Sequence, residues 1–267
     1  MRIGAGILLA ALLLFGLPAA AFELAGNAVQ GGMMIGRTAP GTPVTVDGKP
    51  VRVSPDGMFV FGFGRDHGES VILTVGNRVE TIDVARRDYE IQRIDGLPPK
   101  MVTPPEDVLA RIRRENAEIA RVRALDTDAS HFGQDWIWPS VGTVTGVFGS
   151  QRVLNGEPRR PHFGIDIAAP AGSDVVAPTD GVVRMAEADL YFTGGTVMLD
   201  HGHGVTSVYS HLSKVSVEVG RSVRQGEKIG EVGSTGRSTG AHLDWRVNWF
   251  TERLDPGLLA GPMPETR

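Results

Sequence analysis

A mainly β chain is predicted, in three parts: a small N-terminal β-sandwich, a helical linker and a C-terminal antiparallel β-sheet domain. Three observations predict it. Short runs rich in Val, Ile, Thr and Phe recur between Gly, Pro, Asn and Asp turn signals in both halves of the chain. Only the stretch 104–125 changes to helical spacing. A content of 35 glycines with 6% aromatic residues suits a turn-rich β chain. At 267 residues the chain has room for two modest domains.

The elements follow in order. Arg2 precedes an apolar run over residues 3–17 that closes on Pro18-Ala19-Ala20-Ala21. A positive start, an apolar core and an Ala-x-Ala ending predict a secretory signal peptide over 1–21, cleaved after Ala21. About fifteen apolar residues fall short of the roughly 20 that span a bilayer, so release rather than stable membrane insertion is expected. There is no cysteine, hence no disulfide and no thiol to carry a lipid. A net charge of −4 gives no reason to expect nucleic acid as a partner.

Residues 22–98 form the predicted sandwich. Val44-Thr45-Val46 and Val51-Arg52-Val53 flank the turn signal Asp47-Gly48-Lys49-Pro50, and Met58-Phe59-Val60-Phe61 follows Pro55-Asp56-Gly57. The runs 71–75 and 79–84 flank Gly76-Asn77-Arg78, a second hairpin signal. Several short strands of this kind predict an immunoglobulin-like sandwich. It carries no catalytic pattern, and His67 stands alone in a loop. Leu97-Pro98-Pro99 closes the unit, which is expected to fold by itself.

The linker, 99–130, holds the helix. Thr103-Pro104-Pro105-Glu106 reads as a capping box with proline at the first helical position. Val108, Ile112, Ile119 and Val122 share one stripe, and the other faces are charged. A bridging helix is expected; the functional alternative lays it across a groove in the next domain.

The C-terminal domain, 131–267, opens at Trp136 and reads as strands separated by Gly/Pro turns, with a polar loop over 151–160. Its sheet should be open and antiparallel, with a groove on one face. Two segments there carry chemistry. Pro161-His162-Phe163-Gly164-Ile165-Asp166 and, eighty residues on, Gly240-Ala241-His242-Leu243-Asp244 each pair an imidazole with a carboxylate. In an extended strand, side chains two or four positions apart share a face, so His162 meets Asp166 and His242 meets Asp244. Tyr209-Ser210-His211-Leu212-Ser213 lies between them. Nitrogen and oxygen ligands without thiol suggest one zinc ion with a position left for water, the catalytic form of a zinc site.

These three ordered motifs resemble those of the LytM/lysostaphin-type zinc metallopeptidases, the M23 family, over roughly residues 136–256. The resemblance implies an antiparallel peptidase domain and one Zn2+. It makes His162 and Asp166 metal ligands, and His211 and His242 catalytic assistants. The chain departs at the third ligand, where the family has histidine and this sequence has Asp244. Asp244 is therefore the expected third metal ligand. A second carboxylate would leave the site one charge more negative, raise the pKa of a zinc-held water and move activity to higher pH.

The implied activity is a zinc-dependent metalloendopeptidase, a peptidoglycan hydrolase cutting stem-peptide cross-links in the periplasm. Peptidoglycan peptides are then the partners. The alternative is a relative that has lost catalysis and activates a cell-wall amidase. Other features are weaker. His201-Gly202-His203-Gly204 sits between two β runs and reads as a hairpin turn. The stretch 233–240 is rich in Gly, Ser and Thr but lacks a Gly-Lys-Ser/Thr ending, so it reads as a loop delivering His242. Arg152, Arg159 and Arg160 precede His162 and are candidate partners for a substrate carboxylate.

Overall fold

The computed structural model describes residues 22–95 and 106–264. The expected signal peptide, Pro98-Pro99 and Thr103-Pro104-Pro105 lie outside them.

The N-terminal part contains β1 (Glu23–Gly26), β2 (Met33–Arg37), β3 (Val44–Val46), β4 (Lys49–Val51), β5 (Met58–Gly62), β6 (Ser70–Val75) and β7 (Arg78–Asp83). They form two sheets, ordered β1-β2-β5 and β4-β3-β6-β7, around a core that includes Met34, Phe59, Phe61, Phe63, Val71 and Leu73. The unbroken apolar run in β5 has a clear cause. Phe59 and Phe61 point into the sandwich, whereas the alternate residues Met58 and Val60 join Met33 in the core of the C-terminal domain. A strand buried on both faces cannot alternate apolar with polar residues. The two parts thus share a core, which argues against the expectation that residues 22–95 fold by themselves.

β8 (Ile91–Ile94) leaves the sandwich and pairs in parallel with β10 (Gln151–Leu154). After a 3-10 turn at Glu106–Val108 comes α1 (Leu109–Arg123). Its buried residues are Ile112 and Val122, two members of the predicted stripe.

Of the C-terminal strands, β9 (Thr143–Gly146), β12 (Ile165–Ala168), β14 (Gly181–Leu190), β15 (Gly194–Gly202), β16 (Val205–Leu212), β18 (Ser222–Val223), β20 (His242–Trp249) and β21 (Glu252–Leu254) build one eight-stranded antiparallel sheet. Its order is β18-β14-β15-β16-β20-β12-β9, with β21 on β20. β10 pairs with β11 (Glu157–Pro158), while β13 (Asp174–Val176), β17 (Lys214–Val215) and β19 (Lys228–Glu231) form a small separate sheet. Helix α2 (Gly257–Ala260) follows. One expectation needs correction. The polar loop 151–160 is the hairpin β10–β11, turned by Asn155-Gly156 with φ 49° and 83°, a two-residue turn the sequence displays. Residues 222–231 hold β18 and β19, which belong to different sheets because Gly226 turns the chain between them at φ 79°.

Alternation gives the large sheet two faces. Ile165, Ile167, Leu199, Tyr209, Leu243 and Trp245 face the main core. The opposite face carries Asp166, His242, Asp244, Arg246 and Ser210, in register across β12, β20 and β16. Val208, opposite Arg246, continues that face into Met198 and Met185, and there α1 packs through Val122 and Ile119. The linker helix therefore lies on the same face as the polar group.

Candidate metal centre and its surroundings

Asp166 and Asp244 sit directly opposite one another on β12 and β20. Like charges in that relation destabilise a sheet unless something positive stands between them. Two glycines admit the arrangement. A Cβ on Gly164 would lie 2.9 Å from Asp244 Oδ1 and one on Gly146 would lie 2.3 Å from Asp166 Oδ2. The glycine of His-x-Gly-x-Asp is thus a matter of close approach.

His162 precedes β12 and is not itself in a strand, which corrects the extended reading of 162–166. Its backbone bonds fix it instead: its N–H donates to Ser150 O at 2.8 Å and its carbonyl accepts from Gly149 N–H at 2.7 Å. The residue is 1% exposed, and neither ring nitrogen has a hydrogen-bond partner. Its Nε2 stands 3.1 Å from Asp166 Oδ1, an oxygen that also lacks a hydrogen bond. One ligand atom from each of His162, Asp166 and Asp244 falls within 4.8 Å of the others, all three residues being buried. Buried polar atoms without partners are rare. Here they converge on one point, and their chemistry suits a divalent metal bound by imidazole and carboxylate.

His211 and His242 stand beside this group, ring centroids 4.7 Å apart. His211 Nδ1 lies 2.8 Å from Thr235 O and His242 Nδ1 lies 2.9 Å from Gly240 O. Each Nδ1–H then donates to a carbonyl, leaving Nε2 to face the site. His242 Nε2 is 4.0 Å from Asp166 Oδ1. His211, one residue before the end of β16, has φ 66°, a left-handed conformation that costs a non-glycine residue about 1 kcal/mol or more. Burial holds the His211 imidazole below its ordinary pKa, against the charge of Asp244, which favours protonation. The loop over 233–240 reaches His242 through the Gly233–His242 bridge.

The surroundings hold residues that sequence reasoning missed. Arg246 Nε donates to Asp244 Oδ1 at 2.8 Å, and its Nη2 bonds Oδ2. Arg152 Nη2 donates to Asp166 Oδ2 at 2.8 Å while its Nε reaches Gln92 Oε1 on β8 at 3.3 Å. Arg152, a candidate partner for a substrate carboxylate, is therefore engaged with a candidate metal ligand. Arg159 is half-buried and Arg160 exposed on the same hairpin. Burial raises the Asp244 pKa, but the Arg246 charge and hydrogen bonds outweigh that and hold it well below the carboxylate range. The Arg246 guanidinium is correspondingly raised, Asp244 overcoming the opposing effect of burial. Arg123 at the end of α1 is lowered by burial and by the charges of Arg246 and Arg160. The expectation of an excess negative charge thus meets two arginines that balance the two carboxylates.

His201 and His203 lie elsewhere. His201 is fully buried between Asp180 O at 2.7 Å and Ser207 Oγ at 2.7 Å, and the hydroxyl of Tyr209 continues the chain. His203 occupies the β15–β16 turn against Phe132.

A buried His/Asp/Asp group that could hold a metal ion thus lies beside two oriented imidazoles on the polar face of an antiparallel sheet. Residues 160–256 match the model of Peptidase family M23, and the chain carries a peptidase M23 domain. A crystallised M23-type protein of Pseudomonas aeruginosa superposes over 89% of this chain and 96% of its own, with TM-score 0.67 and 29% identity, so the likeness includes the N-terminal part. The DD-carboxypeptidase/endopeptidase Mpg of Neisseria meningitidis is 45% identical over 106 residues, 40% of this chain. The lipoprotein NlpD/LppB homolog of Pseudomonas aeruginosa is 38% identical over 121 residues, 45% of this chain. The match spans only 24% of the first relative's length and 38% of the second's.

Proposed function

We propose that the chain is a zinc metalloendopeptidase that hydrolyses peptide bonds of peptidoglycan stem-peptide cross-links, acting in the periplasm after signal-peptide cleavage. The observation that carries this reading is the set of unpartnered buried atoms on His162 and Asp166, set beside Asp244. His162, Asp166 and Asp244 would hold the ion. Bound zinc supplies Lewis acidity, polarising a carbonyl and acidifying water. The protein's own groups do the rest. His211, kept neutral by burial, takes a proton from the attacking water through Nε2 and returns it to the leaving amine. His242, its Nδ1–H held by Gly240 O, turns the Nε2 lone pair to the site and orients the attacking water by accepting a hydrogen bond from it. The DD-peptidase named among the relatives supports a bond between D-configured residues.

One observation favours a second reading. Both carboxylates are already paired with arginines, so the fold is electrostatically complete as a peptide-binding regulator that stimulates a cell-wall amidase. Metal analysis of the purified chain together with digestion of purified peptidoglycan separates the two. One zinc per chain and new amino termini are expected. A metal-free chain that leaves cross-links intact yet raises the rate of an added amidase overturns the enzyme reading.

A further inference from the structure

We propose that Arg246 is an affinity-setting residue of this centre, a resident cation that competes with the metal for Asp244. The inference rests on the metal-site reading above. Its ground is the register of β20: residues 242, 244 and 246 share one face, so the strand that presents a ligand also presents that ligand's counter-charge two positions on. Arg246 grips both carboxylate oxygens, Nε to Oδ1 at 2.8 Å and Nη2 to Oδ2. Fork-to-carboxylate pairing of this kind is among the strongest hydrogen-bonding arrangements available to a side chain.

A metal must therefore take a lone pair from an oxygen already engaged, and must do so beside a fixed positive charge. Asp166 differs. Arg152 holds only its Oδ2, at 2.8 Å, and leaves Oδ1 without a partner facing His162. The two carboxylates consequently have separate roles. Asp166 and His162 form the half of the site that waits for an ion, and Asp244 is the half that exchanges one cation for another. The arrangement also resolves the cost of two carboxylates placed directly across a sheet, since each brings its own arginine when no ion is bound.

The proposal is tested on the full chain with zinc alone, by competition against a chromophoric chelator and by thermal unfolding with and without zinc. Arg246→Gln leaves Asp244 buried without a counter-charge. Zinc affinity is expected to rise ten- to a hundredfold, with a larger zinc-induced shift in Tm than the wild type shows. Arg246→Lys keeps the charge but cannot grip two oxygens, and is expected between the two. It also serves if Arg246→Gln fails to fold. Adding His162→Ala to the tighter variant must abolish the gain. Affinity unchanged or weakened by both substitutions, or a gain that survives His162→Ala, overturns the proposal. Tight zinc binding by Arg246→Gln with no cleavage of peptidoglycan sustains the proposal and removes the peptidase reading instead.

Discussion

Two buried histidine clusters lie on opposite faces of the same sheet, and they are built on opposite rules. On the core face, His201 has a partner at each nitrogen, Asp180 O and Ser207 Oγ, and the chain ends on Tyr209. On the other face, His162 is as deeply buried and has none. A satisfied buried histidine repays its desolvation locally and needs no further explanation. His201 and His162 thus differ in hydrogen-bond completeness, where burial alone ranks them equal. His203, buried in the β15–β16 turn with both ring nitrogens also unpartnered, shows that an unpaired imidazole points to a metal only where other ligand atoms converge on it, as Asp166 and Asp244 do on His162.

The largest effect expected from this contrast is at the unsatisfied cluster. His162→Ala should lower zinc affinity more than about a hundredfold, because a ligand matters at least as much as the groups that orient it. Equilibrium dialysis against zinc checks this. Retention of the metal by His162→Ala would transfer the site elsewhere and dissolve the comparison.

Next in size are the two oriented imidazoles. His211→Ala and His242→Ala should keep their zinc and lose on the order of 10²–10⁴ in cleavage rate, the usual worth of a positioned proton-transfer group. Metal content measured beside muropeptide release decides the matter. Loss of metal from either variant would make that histidine a ligand.

How much of this the sequence displays depends on the range of the interaction. His242 and Asp244 are found by counting residues along a strand, whereas His162 reaches Asp166 from the segment before β12, where strand periodicity does not apply; the structure brings the four together. Arg246 was available to the same count, since position 246 shares the face of 244, yet a motif that ends at Asp244 does not draw the eye to it. Gln92 is different in kind. It reaches Arg152 only because β8 pairs in parallel with β10, sixty positions on, and no local pattern announces such a pairing. The alternating core face of the sheet was readable from period two. The double duty of β5 was not, because an unbroken apolar run indicates burial on both faces without saying which two cores it fills.

That shared strand makes the third measurement. Met58 points from the N-terminal sandwich into the core beneath the site and is buried. Met58→Ala should cost about 2–4 kcal/mol, the range for a buried methionine truncated to a cavity. Both parts of the chain should lose stability together in urea unfolding followed by near-ultraviolet dichroism. A transition confined to the sandwich would mean that the site's support is independent of the N-terminal part, so that residues 22–95 are removable after all.

The smallest effect concerns the satisfied cluster and is specific in pH. Burial lowers the His201 pKa from 6.5 to about 4, the bond to Asp180 O opposing the shift. The unfolded chain then binds a proton between pH 6.5 and 4 that the folded chain refuses. Stability contributed by the neutral ring is complete above the unfolded value and is lost as pH falls through that window. The limiting slope is about 1.4 kcal/mol per pH unit for one proton, so roughly 1 kcal/mol should disappear between pH 7 and pH 5.5. His201→Gln removes the titration. It should be less stable at pH 7, where the ring's two hydrogen bonds are fully formed, but flatter with pH. Urea midpoints of both proteins at pH 7, 6 and 5 provide the test. Converging curves are expected towards low pH, as the wild type surrenders what the variant never had. Parallel curves would show that the proton enters the folded state freely, and the contrast between the two histidine clusters would then not rest on hydrogen-bond completeness.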